Sequence, residues 1–130
     1  MISTQVHTKR RPRTIVLLLP ASVGLMMTGY GIVMPVFARQ LGIAAKREAL
    51  VAEEGMALLP DRVIIAPGDA HLLVVEGPGG PVVHLDRSAS YSGCMPSLDP
   101  MFQSVSALYG ASAAGVVLTG MGRDGVHGAA

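Results

Sequence analysis

Gly120, Gly122 and Gly125 close a strongly apolar run near the end of the chain, with Met121, Arg123 and Asp124 between them. A Gly-x-Gly-x-x-Gly turn after a strand lets a pyrophosphate approach a helix N-terminus. Here the chain stops at Ala130. The pattern then has no helix after it and no acidic residue ~20 positions on to hold a ribose, so a nucleotide-binding module is the weaker reading. The turn also carries a carboxylate, Asp124. At the carboxyl end of a strand, an Asp can reach across the ligand-binding edge of an α/β sheet and orient an imidazole. From the residues alone, an Asp at such a place is more often a turn-former or a helix cap.

Nucleophilic chemistry would need a Ser or Cys and a base beside that carboxylate. The chain has four histidines and one cysteine. His7 lies in a basic tail, His71 starts a strand, and His84 sits in a hairpin strand facing solvent. His127 follows the glycine turn, close enough in sequence for its ring to touch Asp124. Ser22 precedes Val23-Gly24 inside an apolar run, while Ser97 and Ser104 read as helix-start and helix-surface residues. No serine is placed to use His127. Cys94, lacking a second thiol, forms neither an internal disulfide nor a metal clip and reads as a small, buried or half-buried hydrophobe. The residues imply no cofactor.

The elements that would position these groups come in two compositions. With 130 residues there is room for one small domain. Half the chain is apolar but only 4% is aromatic, so a core must be built from Val, Leu, Ile, Ala and Met. The net charge of +1 supports no nucleic-acid partner, and the cluster Lys9-Arg10-Arg11-Pro12-Arg13 reads as a solvated tail. From Thr14 to Ala38 no residue is charged. That run is long enough to span a bilayer as a helix, and the preceding basic cluster would hold its N-terminus in the cytoplasm. Met26-Met27-Thr28-Gly29-Tyr30-Gly31-Ile32-Val33-Met34-Pro35-Val36-Phe37-Ala38-Arg39 resembles the first transmembrane helix of a major facilitator transporter. The expectation is one long apolar helix over 14–42, kinked at a proline or glycine, and membrane association through 14–38. A single-span membrane or transporter-fragment protein with a soluble tail is the alternative function.

Past Gly42 the pattern is that of an α/β protein. Arg62–Ala66 is a short apolar strand stopped by Pro67-Gly68-Asp69. His71–Glu76 and Pro81–Leu85 flank Gly77-Pro78-Gly79-Gly80 as a hairpin, and the Ser-rich stretch from Arg87 to Cys94 is loop. Asp99 as N-cap and Pro100 at the first position predict a helix to Tyr109, with Met101, Phe102, Val105, Leu108 and Tyr109 on one face and Gly110 ending it. Ala114–Thr119 reads as a strand buried on both sides in a parallel sheet. The predicted fold class is α/β, a partial doubly wound mostly parallel sheet preceded by the apolar helix. The chain divides into 1–13, 14–42 and 43–130.

The string Leu118-Thr119-Gly120-Met121-Gly122-Arg123-Asp124-Gly125 resembles the signature near the end of CheB-type chemotaxis protein-glutamate methylesterase domains. Three further segments match in order. They are Glu53-Glu54-Gly55 with Leu59–Asp69 and His71-Leu72-Leu73; Pro96–Asp99 with Phe102 and Ser104; and Tyr109-Gly110 with Gly115-Val116-Val117. The resemblance covers about residues 47–128. It implies a methylesterase and glutamine deamidase acting on the cytoplasmic region of methylated chemoreceptors, hence a cytoplasmic protein. Asp124 would be the orienting Asp of a Ser-His-Asp triad, with Met121, Gly120 and Gly122 lining the site. The other two members do not carry over. No Ser-Thr-Gly-Gly string is present, and Val33 stands before Met34-Pro35 where the family has its His. The resemblance therefore implies an incomplete and inactive fragment.

Overall fold

The computed structural model describes residues 2–6, 14–18, 30–117 and 124–129. Aliphatic, β-branched runs form its strands: β1 (Ile2–Val6), β2 (Thr14–Leu18), β3 (Glu48–Val51), β4 (Arg62–Ile65), the hairpin pair β5 (His71–Gly77) and β6 (Gly80–Asp86), and β7 (Ala113–Val117). The helices are α1 (Tyr30–Ala45), α2 (Leu98–Tyr109) and a short α3 (Val126–Ala129). Five strands make one sheet in the order β3-β4-β2-β1-β7. β4 lies parallel to both β3 and β2, with Val63 opposite Ala49 on one side and Ile15 on the other. β1 runs antiparallel to β2 and β7, so β7 points the same way as β2 and β4. The carboxyl ends of β2, β4 and β7 thus share one edge of the sheet.

Alternation along β4 explains how both faces are covered. Successive side chains of a strand point to opposite faces. Ile64 packs with Leu98, Met101, Phe102 and Val105 of α2 and with Leu72, Val74 and Val83 of the hairpin. Val63 and Ile65 pack instead with Ala38, and with Phe37, Leu41 and Ala45, of α1. Ile64, Ile65, Leu72 and Met101 are fully buried. Each such side chain stabilises the fold by roughly 1.5–3 kcal/mol relative to exposure. Ser104 joins α2 to the hairpin: its hydroxyl accepts from the Val74 N–H (3.0 Å) and donates to the Met101 carbonyl (2.9 Å).

Several expectations are corrected. The run over 14–42 is not one helix. Thr14–Leu18 is a strand, because its backbone finds a partner in β4, and the described helix runs Tyr30–Ala45. No helix among the described residues is long and apolar enough to cross a membrane. α1 contains Pro35 but is tied to the sheet through Ala38 rather than standing apart. Ile2–Val6, ahead of the basic cluster, forms β1 between β2 and β7, while Lys9–Arg13 lies outside the described residues. β7 is an edge strand among the described residues, with one antiparallel neighbour, and Ala114 and Gly115 are exposed, so it is not buried between parallel strands. Leu118 and Thr119 lie outside the described residues. α2 is capped by Ser97, whose hydroxyl accepts from the Asp99 N–H, and Asp99 is inside the first turn rather than at the cap. A helix does follow the glycine turn, the short α3.

The hairpin turn falls at Pro78-Gly79 as the glycines foretell. α2 ends at Gly110, whose φ of 51° is the left-handed geometry that glycine tolerates.

Candidate functional site

Asp124 is held against the first turn of α2 by close packing that only glycine permits. Gly125 has a φ of 88°, and a Cβ there would meet Leu98 Cδ1 at 2.9 Å. At Gly128 a Cβ would come within 2.8 Å of the Asp99 backbone. The Gly128 N–H donates to Asp99 Oδ1 (2.7 Å), fixing α3 against α2.

The carboxylate then collects donors from two segments. Its Oδ1 accepts from the hydroxyls of Ser97 (2.6 Å) and Ser92 (2.9 Å), and the Leu98 N–H lies 3.0 Å from Oδ2 and 3.2 Å from Oδ1. A negative charge at a helix N-terminus with an otherwise unpaired amide is favourable. Ser97 is fully buried, and its own N–H donates to His71 Nδ1 (2.9 Å). That leaves His71 Nε2 as the protonated nitrogen, which donates to the Ser88 carbonyl (2.8 Å). His71 is buried with both nitrogens engaged, so it can act as neither base nor metal ligand without losing a bond.

The structure brings Asp124, Ser92, Ser97 and His71 into one hydrogen-bonded patch, but in the wrong order for nucleophilic catalysis. The hydroxyls donate directly to a carboxylate, a weak base for a serine proton, and no imidazole stands between them. Among the described residues no histidine donates to Asp124. His127, close to it in sequence, is exposed and packs edge-on against Tyr91, with ring centroids 4.4 Å apart at 79°. His84 is exposed and bonds Glu54 Oε1 (2.9 Å). Cys94 is half-buried. Met121, Gly120 and Gly122 lie outside the described residues, as do His7 and Ser22; Val33 falls within α1.

Sequence reasoning missed the partnership of Ser92 and Ser97 with Asp124. The available signal was the serine-rich loop leading into the α2 cap. It also missed the ionic anchoring of the hairpin. Glu54 accepts from His84 and from the Leu85 N–H (2.7 Å), and these bonds hold its carboxyl below the usual glutamate range. Asp86 is likewise held low, by the hydroxyl and backbone N–H of Ser88.

A sheet covered on both faces, with Asp124 following β7 in a glycine-rich stretch, defines an α/β protein. The chain belongs to the CheB methylesterase family, whose model matches residues 23–130. The match continues upstream of Gly42 through the stretch likened to a transporter helix, and that likeness finds no support. The chain is 46% identical over 80 residues to protein-glutamate methylesterase/protein-glutamine glutaminase 2 of Caulobacter vibrioides, covering 61% of this chain and 23% of that protein. To protein-glutamate methylesterase/protein-glutamine glutaminase 3 of Anaeromyxobacter dehalogenans it is 47% identical over 94 residues, covering 72% and 27%. The crystal structure of the Thermotoga maritima CheB methylesterase catalytic domain superposes with a TM-score of 0.75 at 29% identity, covering 95% of this chain and 61% of that one. The chain therefore spans about a quarter of the length of the curated relatives it matches.

Proposed function

We propose that this chain is part of a protein-glutamate methylesterase and glutamine deamidase catalytic domain that keeps the orienting carboxylate, Asp124, without hydrolytic turnover of its own. Family membership supplies the reaction class, and the bonding of Asp124 carries the second half. Its oxygens are engaged by Ser92, Ser97 and the Leu98 N–H, and Val33 stands where the family's base would be. The partner in this reading is the cytoplasmic region of a methylated chemoreceptor, and the place of action is the cytoplasm. Met121, Gly120 and Gly122 would line the same edge as Asp124. In sequence, Ser22-Val23-Gly24 is the nearest approach to the Ser-Thr-Gly-Gly nucleophile turn of the family. A hydroxyl there without an imidazole remains unactivated.

The test is methanol release from methylated chemoreceptor by this chain, by its Asp124→Ala variant and by its Ser22→Ala variant. In the serine-hydrolase template, loss of the orienting Asp alone lowers turnover roughly 10⁴-fold, and loss of the base or nucleophile lowers it further. The expected result is release indistinguishable from buffer in all three. Turnover that vanishes in either variant would overturn the inactive reading while leaving the family assignment intact.

A further inference from the structure

We draw no further inference here: the strongest candidate, the outer edge of β7 with the groove it forms beside α2 and α3, is unpartnered among the described residues, and nothing in the structure shows what covers it.

Discussion

The hydroxyl of Ser97 donates to Asp124 Oδ1 at 2.6 Å, joining the α2 cap to the glycine turn that follows β7. One serine thus serves two elements. Its oxygen accepts from the Asp99 N–H while its proton is held by a carboxylate distant in sequence. The carboxylate suited by type to orienting a histidine is, in this chain, a tertiary helix cap.

From this arrangement, Asp124→Ala should lower stability by about 2 kcal/mol. It leaves the buried Ser97 hydroxyl and the Leu98 N–H without an acceptor at a helix N-terminus. Asp124→Asn, which keeps an acceptor, should lose about half as much. Urea denaturation midpoints of the three chains check this. A midpoint unchanged in the Ala variant would remove the capping role.

His71→Leu should be more damaging than its size suggests. The substitution fills the space but strands two buried polar groups, the Ser97 N–H and the Ser88 carbonyl. A loss of about 3 kcal/mol is expected, with the α2 N-terminus loosening first. Hydrogen exchange at the Ser97 and Leu98 amides, compared between the two proteins, reads that directly.

Gly128→Ala should detach α3 from α2. The added methyl would fall within 2.8 Å of the Asp99 backbone, which cannot swing aside as a side chain would. The expected loss is about 2 kcal/mol with overpacking confined to this contact. Loss of the Tyr91–His127 ring contact, visible as a change in the His127 ring-proton shifts, should accompany it.

The pH dependence of stability should carry a contribution from Glu54. Its folded-state pKa is lowered by the His84 and Leu85 N–H bonds, so the unfolded chain takes up the proton first as the solution is acidified. The contribution is in full force above the ordinary glutamate range of about 4.3 and is lost as the pH falls through the lowered folded value. Glu54→Gln should therefore flatten the acid limb of the stability profile. Identical slopes in the two proteins would show that the bonds to His84 and Leu85 do not persist in solution.

The sequence by itself determined the local elements from Arg62 onward. Alternating or continuous apolar runs, a glycine hairpin turn and helical spacing from Met101 to Tyr109 are short-range signals, and the structure places β4, β5, β6 and α2 on them. It also determined the family, through strings such as Leu118–Gly125 whose order no local propensity would produce. What it could not settle was Thr14–Leu18, because an uncharged aliphatic run suits a membrane helix and a buried strand equally. The choice was made by Val63, Ile64 and Ile65, which offer that run a backbone to pair with. The same limit governs the site. Asp124 was identifiable as a carboxylate in a glycine turn, but its role depends on which donors reach it first. Ser92, Ser97 and the Leu98 N–H are remote in sequence, and only the docking of α3 onto α2, through the close approaches at Gly125 and Gly128, brings them to it.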